Sequence, residues 1–170
     1  AMSNDILFRP GHEIAAAVTA RAVSARAVTE ASIARIEAED GRLNAFTDPT
    51  FARALAEADA VDAAVAGGAP MPLAGVPYAV KNLFDIAGVT TRAGALINRD
   101  NPPAAADATL IRQMKAAGAV LLGGLNMGEY AYDFTGENAH DGASLNPHDP
   151  GRMSGGSSGG SGTAVAAGMV

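Results

Sequence analysis

Ser154-Gly155-Gly156-Ser157-Ser158-Gly159-Gly160-Ser161-Gly162 is built only from glycine and serine. Such a composition on its own reads as a flexible spacer. The residues after it argue against that: Thr163-Ala164-Val165-Ala166-Ala167-Gly168-Met169-Val170 is apolar and alanine-rich, the pattern of the start of a buried helix. A glycine-rich turn entering a helix aims backbone N–H groups at one spot, where the helix dipole also favours negative charge. Small residues let a ligand approach the backbone, and paired hydroxyls add donors and acceptors. The stretch reads as an anion, phosphate or oxyanion site, or as a seat of serine chemistry.

Outward from it, Glu137 to Arg152 is polar and contains glycine and proline, a long ordered loop of the kind that is usually functional. Met127 to Phe134 predicts a short helix. Further upstream, Ala119-Val120-Leu121-Leu122-Gly123 is a continuous apolar strand. Before it, Asp107 caps a helix with Leu110, Ile111 and Met114 on its inner face, and Gly118 stops it. Tyr78–Val80 predicts another buried strand, ending at Lys81. A helix followed by a buried strand indicates an α/β fold, a sheet layered with helices.

Residues 1–67 read as a mostly helical N-terminal region, and residues 68–170 as the start of the α/β core. A first helix is expected from about Glu13 to Ala20. Ser24 caps a second, with Val28, Ile33 and Ile36 on one face and Gly41 at its end. Leu43 to Thr47 predicts a short strand. Asp48-Pro49 introduces a third helix from about Thr50 to Val65, packed along Phe51, Leu55, Ala58 and Asp62, and Gly67-Gly68-Ala69-Pro70 closes it.

The 170 residues are 48% hydrophobic and 18% charged, with a mean hydropathy of +0.11, the composition of a globular domain. A net charge of −6 with no basic patch argues against nucleic-acid binding by this segment. The absence of cysteine excludes disulfides and a thiolate nucleophile and suits a cytoplasmic protein. No apolar run reaches membrane-spanning length, and no secretory pattern opens the chain. Ala1-Met2 reads as an expression remnant ahead of a native start. The chain stops within an apolar run at Met169-Val170, which suggests the N-terminal piece of a longer protein.

Lys81 stands at the end of a strand that should be buried. From position alone, its stem packs inside and its ammonium reaches water. The alternative is a lysine held neutral as a base, which requires a depression of several pH units, about 4–5 kcal/mol, that only burial or a site built for it supplies. Serine–lysine pairs are known variants of serine-nucleophile chemistry.

A strand-end lysine far upstream of a Gly-Gly-Ser-Ser-Gly-Gly-Ser turn resembles the amidase signature family. Gly75-Val76-Pro77-Tyr78-Ala79-Val80-Lys81 is similar to that family's lysine strand, and Gly88-Val89-Thr90-Thr91 follows as it does there. Ala117-Gly118-Ala119, Gly124-Leu125-Asn126-Met127-Gly128-Glu129, Glu137-Asn138, Gly142, Asn146-Pro147 and Arg152 match its next segments. The resemblance runs from about residue 24 to the end. It implies the amidase signature fold, a mixed, twisted central sheet covered by helices, of which this chain is the N-terminal part.

It also implies hydrolysis of a small amide through a serine acyl-enzyme by a Ser–cis-Ser–Lys triad, without cofactor or metal. Lys81 is then the base. Ser157 is the bridging serine, with a cis peptide from Gly156, and Ser158 supports the network. Ser154, Gly155, Met127 and Tyr130 are substrate-pocket candidates. The nucleophile serine and the oxyanion hole belong to a later motif, outside this sequence.

Lys81-Asn82-Leu83-Phe84-Asp85 departs from the commoner Lys-Asp-Asn. With Gly124-Leu125-Asn126-Met127 and Asn146-Pro147-His148-Asp149, it resembles the 1-carboxybiuret hydrolase branch, which cleaves a urea-like amide and works with a small partner subunit, so a homo- or hetero-oligomer is expected. Three further departures stand in one loop: Gly128 where Asp is usual, Gly136 where Thr or Ser is usual, and Asp133 where Gly is common. The alternatives are the glutamine-hydrolysing A subunit of a tRNA-dependent amidotransferase, a general amidase and, outside the family, a phosphate-binding kinase-like module. The kinase-like reading lacks a Gly-x4-Gly-Lys-Ser/Thr arrangement and an acidic magnesium cluster. A non-catalytic partner or truncated paralogue is a further reading.

Weaker signals have simpler readings. His140-Asp141 and His148-Asp149 can be read as metal ligands in a loop, but no other ligand cluster in the sequence supports that, and surface or loop-bracing roles are the simpler reading. Tyr78, Tyr130 and Tyr132 either line a pocket or pack. Glu129 and Glu137 are expected to brace the loop through backbone N–H groups, and Arg26, Arg35 and Arg53 to be solvated.

Overall fold

The computed structural model describes residues 4–170; the expected expression remnant at Ala1-Met2 lies outside the described residues. A 3-10 turn at Asn4–Phe8 leads into helix α1, Gly11–Thr19. Helix α2 spans Ala25–Leu43, and Ser24 caps it by accepting a hydrogen bond from the Ala27 N–H at 3.0 Å. Two more of its free N–H groups, on Ala25 and Arg26, donate to the Asp62 carboxylate at 2.7 and 3.0 Å. A carboxylate from another helix thus meets the positive end of the α2 dipole. Asp62 is therefore a cap in trans rather than a packed position.

Gly41 does not end α2. The helix runs on until Leu43 is fully buried, and Asn44 takes the left-handed cap conformation, with φ 57° and ψ 44°. The predicted strand accordingly starts later, as β1, Phe46–Pro49. Asp40 fixes this corner by accepting the Ala45 N–H at 2.7 Å. Helix α3 spans Phe51–Ala66 and buries Ala54, Glu57, Ala58 and Val61.

Strands β2 (Pro77–Lys81) and β3 (Val120–Leu125) are joined by an irregular segment and helix α4, Thr109–Ala116. The sheet order is β1-β3-β2, with β3 antiparallel to β1 and parallel to β2. Every residue of β3 is buried, because both faces of the sheet are covered. Val120 and Leu122 join one apolar cluster with residues of α1, α2 and α3, and Leu121 points into a second with Val80, Ile86 and Ile111. This is the expected α/β layering.

Asp107 is not the side-chain cap of α4. Ala108 holds the cap position, and Asp107 instead takes a two-pronged bond from Arg53 at 2.7 and 2.7 Å. Of the expected inner face of α4, Ile111 is buried and Leu110 is 44% exposed. Arg53 and Arg35 are not simply solvated. Arg53 also pairs with Glu57, while Arg35 donates to the Ala167 carbonyl and lies over the Phe8 ring.

Met127–Phe134 is not a helix. It holds only a 3-10 turn at Glu129–Ala131, with Tyr130 and Ala131 at left-handed φ of 49° and 59°. The preceding backbone groups are committed elsewhere: Met127 N–H to Asn126 Oδ1, Met127 carbonyl to the Asn138 amide, and Gly128 N–H to Ser157 carbonyl. A small hairpin follows, β4 (Glu137–Asn138) against β5 (Gly142–Ala143). Helix α5 begins inside the glycine–serine run and spans Gly159–Ala166; Gly168 then turns the chain at a φ of 66°.

Candidate active site

Because β2 and β3 are parallel, Lys81 at the end of β2 lies beside Leu125 at the end of β3. The carboxyl ends of parallel strands are where α/β folds collect their chemistry. The chain leaving β3 grips the glycine–serine turn on both sides of Ser158. The Asn126 carbonyl accepts the Gly160 N–H at 3.0 Å, and the Gly128 N–H donates to the Ser157 carbonyl at 2.9 Å. A Cβ on Gly160 would lie 2.6 Å from the Ala45 carbonyl oxygen and 2.7 Å from Asn126 N, so glycine lets α5 start against the sheet. The Gly156–Ser157 peptide bond is cis.

Held there, Ser157 Oγ accepts a hydrogen bond from Lys81 Nζ at 2.6 Å. Burial lowers the Lys81 pKa from its ordinary value, and the negative charge of Asp133 opposes that shift. The pair links residues 76 positions apart, a lysine with lowered proton affinity against a serine hydroxyl.

Buried asparagines support the arrangement. The Asn126 amide donates to the Asn44 and Gly142 carbonyls at 3.3 and 3.1 Å, and its Oδ1 accepts from Met127 N–H and the Asn138 amide, both at 2.9 Å. Asn138 Oδ1 in turn accepts the His140 and Asp141 N–H groups. Behind Lys81, Asn82 donates to Asp48 at 2.6 Å and accepts the Arg92 N–H at 2.6 Å, while Arg92 pairs with Asp48 at 2.9 Å. The sequence marked Asn126 and Asn82 only as motif letters; an asparagine following a buried strand was the available signal for such a brace.

The structure thus brings Lys81, Gly156 and Ser157 together. Ser158 occupies the cap position of α5; its side chain is exposed and makes no cap bond. Ser154 and Gly155 lie at the mouth of the same turn, with Ser154 Oγ donating to the Gly155 carbonyl at 3.2 Å. Met127 is 1% exposed, so its side chain faces the interior; Tyr130 is 59% exposed and accepts a bond from Asn98 Nδ2 at 3.1 Å. Glu129 and Glu137 are exposed, and the loop is braced instead by Asp133 and Asn138.

A strand end that brings a lysine against the serine of a glycine-rich turn is the setting in which the Amidase family model matches residues 27–170, and the chain belongs to that family. AtzE, a 1-carboxybiuret hydrolase subunit of Pseudomonas sp. (strain ADP), is 62% identical over 159 residues, 93% of this chain and 35% of its own length. The A subunit of the glutamyl-tRNA(Gln) amidotransferase of Anaeromyxobacter dehalogenans (strain 2CP-C) is 47% identical, over 93% of this chain and 32% of its own. Among solved structures, a vestigial protein complex bearing on the origins of an s-triazine catabolic enzyme superposes with a TM-score of 0.93 at 60% identity. That match covers 95% of this chain and 36% of the other. The chain spans about a third of the length of these relatives, and the fold is the amidase signature fold. Among the described residues, no helix is long and apolar enough to cross a membrane.

Proposed function

We propose that this chain supplies the base and the proton relay of a serine amide hydrolase whose substrate is a small urea- or biuret-like amide. The observation that carries the reading is the 2.6 Å bond between Lys81 Nζ and Ser157 Oγ at the end of a parallel strand. With Lys81 neutral, the bond reverses: the Ser157 hydroxyl donates to Nζ and its oxygen accepts from a nucleophilic serine beyond residue 170. As that serine attacks the amide carbon, its proton passes to Ser157 and the Ser157 proton passes to Lys81. The ammonium then returns a proton, through Ser157, to the departing nitrogen, and water hydrolyses the acyl-enzyme. The exposed Ser158 hydroxyl is available to join that network, and Ser154, Gly155 and Tyr130 wall the pocket, with Met127 contributing only from behind as packing.

The similarity to a carboxybiuret hydrolase subunit supports the substrate class and, together with the solved complex, a small partner subunit. On this reading residues 1–170 are the N-terminal part of one catalytic domain, and the protein works in the cytoplasm. The test is the full-length protein with Lys81→Ala and Ser157→Ala, assayed on biuret derivatives, simple carboxamides and glutamine. Each substitution is expected to lower kcat by about 10²–10⁴-fold. Wild-type rates in both variants would sink the mechanism. Preference for glutamine would move the protein to the amidotransferase-like reading, which the 47% identity to a glutamyl-tRNA(Gln) amidotransferase chain also favours.

A further inference from the structure

We propose that Asp133 is a positioning residue of the lysine–serine pair: its carboxylate, wedged between Gly128 and Gly156, locks the serine turn and provides the fixed negative charge facing Lys81. Asp133 Oδ1 accepts the Thr135 and Gly136 N–H groups at 2.6 and 2.7 Å, and the Thr135 hydroxyl at 3.3 Å. These bonds aim the carboxylate inward. A Cβ on Gly156 would lie 2.5 Å from Oδ1, and a Cβ on Gly128 only 1.0 Å from Oδ2. Both glycines leave room for the carboxylate, and both touch Ser157, one through the peptide bond and the other through its N–H to the Ser157 carbonyl.

Oδ2 is buried and has no hydrogen-bond partner among the described residues. An aspartate kept only to accept two backbone N–H groups gains nothing from that second oxygen, since asparagine keeps Oδ1 without burying charge. The charge itself has a use here. Among the groups around Lys81, Asp48 and Arg92 pair with each other behind Asn82, Glu129 is exposed and lies 3.8 Å from His140, Glu137 is exposed, and Asp133 is the charge that opposes burial at the lysine. When Lys81 takes the serine proton, the ammonium forms opposite a carboxylate already in place, with no reorganisation needed. Gly128 and Asp133 are also two of the loop's departures from the family pattern. The geometry makes them one exchange, because Oδ2 of Asp133 lies where a side chain at 128 would begin.

The inference rests on the lysine-base reading above, and its test separates the two. The sequence has two lysines, so the exposed Lys115 is an internal reference. In the full-length protein, the acetylation rate of each lysine by acetic anhydride is followed against pH by peptide mass spectrometry. Asp133→Asn is expected to move the Lys81 midpoint acidward by on the order of one pH unit, with Lys115 unmoved, and the acidic limb of kcat/KM should move with it. An unmoved Lys81 midpoint overturns the assignment even where Lys81→Ala is inactive. Activity surviving in Lys81→Ala would instead sink the base reading, leaving the midpoint to report on Asp133 alone. If Asp133→Asn does not fold, Asp133→Gly/Gly128→Asp is measured, since the Gly128 backbone at φ −64° and ψ 145° accepts any side chain. That variant returns the carboxylate from the opposite side and should titrate near wild type; an acidward midpoint in it overturns the proposal.

Discussion

At Lys81, burial and charge pull in opposite directions. Burial disfavours the ammonium and dominates, Asp133 favours it, and the net result is a pKa below the ordinary 10.5. The consequence for stability has a definite sign. Between the lowered folded value and 10.5 the unfolded chain holds a proton that the folded chain has released, so stability rises with pH across that window. Below it, both states are protonated and the burial cost is present in full. Replacing the amine by an uncharged chain of similar length removes that cost. Lys81→Met is therefore expected to be more stable than the wild type at neutral pH, with an advantage that narrows as pH approaches 10.5. Urea midpoints of both proteins across that range check this; an advantage that widens with pH would contradict it. The lysine and the serine were legible in the sequence because each is tied to a strong local pattern, a strand end and a glycine-rich turn. Asp133 was legible only as a departure from a family pattern, since its contacts with Gly128 and Gly156 exist only once the loop is folded.

At the scale of elements, the junction of α3, α4 and the segment after β2 depends on one carboxylate. Asp107 takes both prongs of Arg53 and the Ala87 N–H at 2.9 Å, in a partly buried setting with side chains 23% and 14% exposed for Arg53 and Asp107. The bond to Arg53, more than any other influence, lowers the Asp107 pKa below its ordinary 3.8. A depressed carboxylate contributes stability that is complete above its ordinary value and is lost as pH falls through the folded one. Asp107→Asn is expected to cost about 2 kcal/mol near neutrality and to flatten the acid limb of the stability curve below pH 3.8. Thermal unfolding of both proteins against pH measures the two effects together. Asp107 looked like a helix cap because aspartate before an apolar-periodic run usually is one. What diverted it was Arg53, 54 residues upstream, which no local pattern reveals. Asp62 shows the same limit: its place on α3 was visible, but its role at the start of α2 required knowing how the two helices pack. Regular elements were legible where periodicity and glycine punctuation agreed. The Met127–Phe134 segment misled because its backbone bonds go to Asn126, Asn138 and Ser157, partners outside its own run.

Across the whole molecule, the site is where three parts of the chain meet at the carboxyl end of the parallel strands: β2 with its lysine, the exit of β3 with its asparagines, and the turn into α5 with its serine. Gly160 lies at the centre of that meeting. Its N–H donates to Asn126, and the space a side chain would need is already filled by the Ala45 carbonyl and the Asn126 backbone at 2.6 to 2.7 Å. Those neighbours are main chain inside a buried corner and cannot rotate away, so a larger residue must displace α5 or part the strands. Gly160→Val is expected to destabilise the full-length protein by about 3 kcal/mol or more, and to withdraw Ser157 from Lys81. Gly162→Val lies in the same helix, but a Cβ there meets nothing nearer than the Ser154 carbonyl oxygen at 4.0 Å. It should be far milder, because no backbone blocks the exposed position and valine is no worse a helix former than glycine. Comparing the two by denaturant midpoint and by amide turnover separates close packing from the general effect of removing a glycine. Equal losses would mean that the glycine–serine run acts through its flexibility, whereas a large loss at 160 alone means that glycine is there to let the helix carrying the serine touch the sheet carrying the lysine.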